Sequence, residues 1–143
     1  MNKIYAFLVI LPIMVIILFK SVALYEYDTT QRYIKNYVDD TARKVMITGV
    51  MTLQDKNNLL SNLSKFGAFT QNSIILKRGN SPDAGDNNMN DYAVGSVLSR
   101  GEYFSIYVKS DNESTLSRLE GDAVNQIFYK ARAVCRIERA EYE

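Results

Sequence analysis

The sequence has no histidine and no tryptophan, and Cys135 is its one cysteine among 143 residues. Without histidine, Ser-His-Asp and Cys-His catalysis and all His-ligated metal sites are excluded. A single cysteine forms neither an internal disulfide nor a thiolate metal cluster. Neither charge sign is in clear excess, since 17 basic and 16 acidic side chains give a net charge of +1. We therefore expect no nucleic acid as a direct partner. Phosphate-binding and nucleophile motifs are also missing, so we expect no enzyme and no cofactor.

Apolar residues are concentrated at the N-terminus. Residues 4–19 carry no charge, and a helix continued to Tyr25 is ~33 Å long, enough to cross a hydrocarbon core of ~30 Å. Lys20 then lies near the boundary, where its side chain reaches water. We predict that residues 1–25, the stem, form a transmembrane or assembly helix. The side chains expected to contact lipid or neighbouring stems are Ile4, Phe7, Leu8, Leu11, Pro12, Ile13, Val15, Ile16, Phe19 and Leu24.

A cleaved secretory signal is the alternative interpretation of the stem. Residues 1–3 form a short basic leader, and Ser21-Val22-Ala23 places small residues where a signal peptidase cleaves, after Ala23. The apolar run is at the long end for such a signal, which favours a retained helix. Basic residues flank the run on both sides, so the charge rule for membrane orientation decides nothing.

Residues 26–48 continue the helix with apolar residues on one face only. Gly49 is the expected end of this helix. Charged residues occupy the other positions and suit solvent. We predict that the apolar face, called the spine, docks on the head formed by residues 49–143, which is expected to have a core of its own. The spine consists of Tyr27, Ile34, Val38, Ala42 and Val45.

The head is predicted to hold one short helix and three or four antiparallel strands. Thr52 as N-cap and Asp55 three residues later start a helix over 53–66, which Gly67 ends. Apolar and polar residues then alternate in the way of strands, over 73–77, from Tyr103 to Lys109, and from Ile127 to Ile137. A turn of helix is expected around Leu116 and Leu119. The fold class is thus α+β, with the spine packed on the sheet face that carries Phe104, Ile106 and Val108.

Three features of the head have both a purely structural and a functional interpretation. The loop 79–91 offers Asp83, Asp86 and Asp91 as calcium ligands, but their spacing departs from the EF-hand pattern, so we interpret it as a turn-rich connection. Cys135 shares a strand face with alanine and isoleucine, which predicts a buried, inert thiol. One sheet face is basic and tyrosine-bearing, and we interpret it as solvated. Its residues are Tyr103, Tyr107, Lys109, Lys130, Arg132 and Arg136.

The order of elements resembles type IV pilin-like proteins, in which an apolar helix runs into an amphipathic one ahead of a small antiparallel sheet. More locally, Tyr37-Val38-Asp39-Asp40-Thr41-Ala42-Arg43 followed by Gly49-Val50-Met51-Thr52 is similar to the region after the membrane helix in TadE-like pseudopilins. Arg100-Gly101 before an alternating strand extends the similarity. The Gly-Phe-type prepilin cleavage site and the glutamate near the start of the apolar run, both typical of major pilins, are absent from this sequence.

The resemblance implies a minor pseudopilin, a structural subunit of a surface filament, pilus-assembly or DNA-transfer apparatus. Its partners would be copies of itself or related pilin-like subunits. It would be anchored in a bacterial cell membrane by a single span, with the head outside the cytoplasm or in an extracellular filament. A membrane-tethered binding module and a small secreted protein are the alternatives.

Overall fold

The computed structural model describes residues 2–80, 89–114, 117 and 127–138. It confirms the α+β class, with a long N-terminal helix, a short second helix and a four-stranded antiparallel sheet of order β2-β1-β3-β4. The elements in chain order are α1 (Asn2–Thr48), α2 (Leu53–Leu63), a 3-10 turn (Gln71–Ser73), β1 (Ile74–Gly79), β2 (Asn90–Asp91), β3 (Tyr103–Glu113) and β4 (Phe128–Arg136).

Helix α1 runs without interruption from the stem into the head. Its 47 residues correspond to ~70 Å at the standard rise, and it continues through Pro12. It ends at Gly49, as predicted, because the positive φ of 75° there is a conformation that glycine adopts without steric cost. The N–H of Gly49 donates to the carbonyl of Val45 at 2.7 Å, which caps the last turn.

The spine packs against the inner face of the sheet. Ile34, Val38 and Val45 are 0% exposed and Ala42 is 4% exposed, while Tyr27 is partly buried. They belong to the same hydrophobic core as the sheet residues Phe104, Ile106, Val108, Tyr129, Ala131 and Ala133. The core is therefore not confined to residues 49–143. Residues 26–48 supply part of its helical layer, to which α2 adds Leu59 and Leu63.

Helix α2 starts where the sequence predicts and ends earlier. Thr52 and Asp55 form a reciprocal capping box, in which each side chain accepts from the other residue's backbone N–H. The helix stops at Leu63, not at residue 66, and Gly67 does not end it. The N–H of Phe66 instead donates to the carbonyl of Leu63 at 3.0 Å, which closes a separate turn.

Two further boundaries differ from the sequence prediction. Strand β3 continues through Ser110–Glu113, with a register irregularity between Lys109 and Glu113, whereas these residues were expected to end it. Gly79, Asn90 and Asp91 are not loop residues. Gly79 is the last residue of β1 and pairs with Tyr103, while Asn90 and Asp91 pair with Arg78 and Lys77 of β1. The helical turn expected around Leu116 and Leu119 lies outside the described residues.

Candidate functional site

The stem exposes all of its large apolar side chains. Between Ile4 and Val22 their exposed fractions range from 40% at Val15 to 66% at Tyr5. Every predicted assembly residue of the stem, Leu24 and Pro12 included, is exposed. A contiguous apolar surface of this extent is typical of sites that lipid or protein covers. Among the described residues, α1 is the one helix long and apolar enough to cross a membrane, by length and composition.

The head holds the second half of α1 through stacked aromatic rings. Tyr27 stacks on Tyr129 of β4, with ring centroids 5.4 Å apart. Tyr33 and Tyr37 contact the ring of Phe66 at centroid distances of 5.5 and 5.9 Å. These contacts join α1 to both the sheet and the segment after α2. The direction of the stem relative to the head is therefore set by packing as well as by the continuous helix.

A charged contact adds to the junction between α1 and α2. Lys44 of α1 forms an ion pair with Asp55, whose side chain is only 8% exposed. Burial disfavours the ionised carboxylate and is the largest single effect on its pKa. The hydrogen bonds from Lys44 and Thr52, together with the charge of Lys44, outweigh burial and lower the pKa of Asp55. The carboxylate thus serves two elements at once, as capping residue of α2 and as ion-pair partner of α1.

The described residues show no arrangement of ligands that supports the calcium hypothesis. Asp83 and Asp86 lie outside them, and Asp91 is exposed on β2 opposite Lys77. In the part of the chain that the structure describes, no group of three or more acidic, cysteine or histidine side chains is arranged to hold a metal ion.

The outer sheet face carries the basic and tyrosine residues as predicted. Tyr107 lies opposite Arg132, and Lys109 lies opposite Lys130. The ammonium of Lys109 sits 4.6 Å from the ring centre of Phe128, a cation–π contact that places its charge over an aromatic face.

Cys135 is half-buried on the opposite, inner face. Burial raises the pKa of its thiol to about 11. A thiol with so high a pKa is almost fully protonated at neutral pH, which fits the inert residue that the sequence indicates.

Sequence reasoning missed several polar contacts that build the head. The Tyr92 hydroxyl accepts a hydrogen bond from the N–H of Met51 at 3.0 Å and donates to the carbonyl of Ser96. The side chain of Gln31 binds both backbone groups of Lys130, although the two residues are 99 positions apart. No local sequence signal marks such pairs, since each depends on the packing of distant elements. Comparisons with protein-family models, curated proteins and solved structures found no match for this chain.

Proposed function

We propose that this chain is a pilin-like structural subunit, a minor pseudopilin, that assembles through its stem into a surface filament, pilus-assembly or DNA-transfer apparatus. The observation that carries the proposal is the division of one continuous helix into two halves. The second half supplies core side chains to the head, whereas the first half exposes every large apolar side chain from Ile4 to Val22. The first half of such a helix is a rigid apolar segment that the folded head cannot cover.

The same stem serves two environments in turn. In the bacterial membrane, lipid covers it as a single span, with the head outside the cytoplasm. In the assembly, stems of other copies or of related pilin-like subunits replace the lipid, because packed apolar helices exclude water equally well. The resemblance of residues 37–43 to the corresponding region of TadE-like pseudopilins supports this choice over a tethered binding module, in which the stem would serve only as an anchor.

The test is the substitution Ile13→Asp in the middle of the stem. A carboxylate at the centre of a membrane helix costs ~2.5–3.5 kcal/mol for insertion, and none of the described stem residues offers it an ion-pair partner on the same helix turn. We expect two differently tagged copies of the wild-type chain to co-purify from detergent-extracted membranes and to appear as filaments by negative stain. We expect Ile13→Asp to abolish both.

The matched control is Ile47→Asp, which places the same charge on the second half of the same helix, at a position that is 65% exposed. This variant should co-purify like the wild type. The proposal is wrong if wild-type copies stay monomeric in the membrane and in its extract, or if Ile13→Asp inserts and co-purifies unchanged.

A further inference from the structure

Strand β4 lies at one edge of the sheet and presents backbone groups to the outside. The N–H and C=O of Lys130 point away from β3, since both bind the side chain of Gln31. Backbone groups in an antiparallel ladder alternate with a period of two residues. The N–H and C=O groups of Arg132, Val134 and Arg136 therefore also point away from the sheet.

Helix α1 covers both ends of this edge. Gln31 occupies the outward groups of Lys130, and the ammonium of Lys35 donates to the carbonyl of Arg132. Beyond the other end of β4, the N–H of Glu138 donates to a carbonyl of α1 at 3.0 Å. Unpaired sheet edges attract other strands, and proteins commonly block them in such ways.

The middle of the edge is left open. No hydrogen bond to the outward groups of Val134 or Arg136 occurs within the described part of the chain, and Val134 is 41% exposed. A groove of about 470 Å³ separates this stretch from α1, with Ala42 and Met46 among the helix residues that line it. This volume lies within the ~300–1,000 Å³ of ordinary ligand sites and gives room for a short extended segment.

The groove is basic. Lys35, Arg43, Arg132 and Arg136 line it, against one carboxylate, Asp39, which pairs with Lys35 at 2.8 Å. Arg43 and Arg136 have no ion-pair partner among the described residues. Guanidinium groups without an ion-pair partner form charge-assisted, often bidentate hydrogen bonds with carboxylates. The groove is therefore complementary to an acidic segment.

We propose that the β4 edge at Val134 and Arg136 binds an extended acidic segment of another protein, which adds to the sheet as a further strand. Main-chain hydrogen bonds to Val134 and Arg136 hold the backbone of the segment, and the guanidinium group of Arg43 selects its acidic side chains. A second copy is a poor occupant, because β4 against β4 places basic strands beside each other. This inference concerns the head and does not rest on stem-mediated assembly.

The experiment uses the full chain in detergent micelles and a fluorescein-labelled peptide of alternating valine and glutamate. We expect saturable binding, by anisotropy, at concentrations below about 1 mM, weakened by added salt. The same peptide with lysine in place of glutamate should not bind. Val134→Pro removes an outward N–H without removing a bond to β3, and we expect it to weaken binding at least ~10-fold. Arg43→Gln should also weaken binding, whereas Lys109→Gln, outside the groove, should not.

If Val134→Pro disturbs the fold, a peptide N-methylated at every amide replaces it, because methylation of alternate amides alone would leave one edge of the peptide free to pair with the wild-type chain. The proposal is overturned if the acidic peptide does not bind, if Val134→Pro keeps its fold and full affinity, or if N-methylation has no effect. A dimer that Val134→Pro dissociates, without any peptide binding, would likewise overturn it in favour of pairing between copies.

Discussion

Asp55 shows how one side chain can hold two helices together. One carboxylate oxygen of Asp55 accepts a hydrogen bond from the N–H of Thr52 at 3.2 Å, which completes the capping box of α2. The other oxygen accepts a hydrogen bond from the ammonium of Lys44 in α1. A buried carboxylate without these donors would favour its protonated form. Here the donors prevail, and the pKa of Asp55 lies below its usual value. The ionised form is therefore more stable in the folded than in the unfolded chain.

This lowered pKa makes part of the stability depend on pH. The contribution of Asp55 is fully present above its unfolded pKa of ~3.9, and it is lost as the pH falls through the lower folded pKa. We expect Asp55→Asn to reduce the free energy of unfolding at neutral pH by about 1–3 kcal/mol, and we expect this difference from the wild type to shrink in acid. Denaturant titrations of the full chain in micelles at several pH values measure it.

Asp28→Asn is the control, because Asp28 pairs with Arg32 at 3.0 Å while both side chains are mostly exposed. Exposed pairs of this kind contribute ~0–1 kcal/mol. The role of Asp55 would be refuted if the two variants lost the same stability at neutral pH, or if the loss in Asp55→Asn did not change with pH.

Cys135 gives a second prediction at this scale. With a thiol pKa of about 11, the reactive thiolate is scarce at neutral pH. We expect a disulfide-exchange reagent to label the folded chain at least ~100-fold more slowly than the chain unfolded in denaturant, with a rate that rises as the pH approaches the pKa. Equal rates in the two states would show that the thiol is accessible and that burial does not protect it.

At the scale of elements, local patterns predicted those parts of the fold that local chemistry decides. The 3.6-residue period of the spine, Gly49 at the end of α1 and the Thr52–Asp55 capping box each concern neighbours along one helix. The alternation around Phe104, Ile106 and Val108 identified the buried face of β3, because polar and tyrosine residues occupy the alternate positions on its other face. These signals require no knowledge of distant residues.

The elements that were predicted wrongly from the sequence depend on contacts with residues far away in the chain. Helix α2 ends before Phe66 because the ring of Phe66 packs on Tyr33 and Tyr37 of α1. The spacing of apolar residues within α2 cannot predict this contact, because it involves another helix. The two residues of β2 form a strand only by pairing with β1.

The stem and the basic groove differ in the same way. The stem could be predicted, because it is a local apolar run. The basic groove could not, because α1 and β4, which form it, are about a hundred residues apart in the chain.

At the scale of the molecule, the structure divides the chain inside α1 and not at its end. Of the stem residues that the structure describes, Ala23 alone is buried, at the end nearest the head, whereas the helix from Tyr27 onward contributes to the core. A helix segment that supplies four core side chains is part of the folding unit. The stable soluble unit should therefore begin near residue 26, within the helix.

A pair of fragments tests this division. We expect residues 26–143 to be monomeric in water and to unfold cooperatively, because they keep the whole spine without the apolar stem. Residues 49–143 lose Ile34, Val38, Ala42 and Val45 from the core. Removal of a single large core side chain costs ~2–5 kcal/mol, so the loss of Ile34, Val38 and Val45 together is comparable to the ~5–15 kcal/mol that stabilises a typical domain. We expect this shorter fragment to lack a cooperative urea transition by near-ultraviolet circular dichroism. Ile34→Asp in the longer fragment should reproduce the defect, whereas a cooperative transition in residues 49–143 would show that the head forms its core without α1.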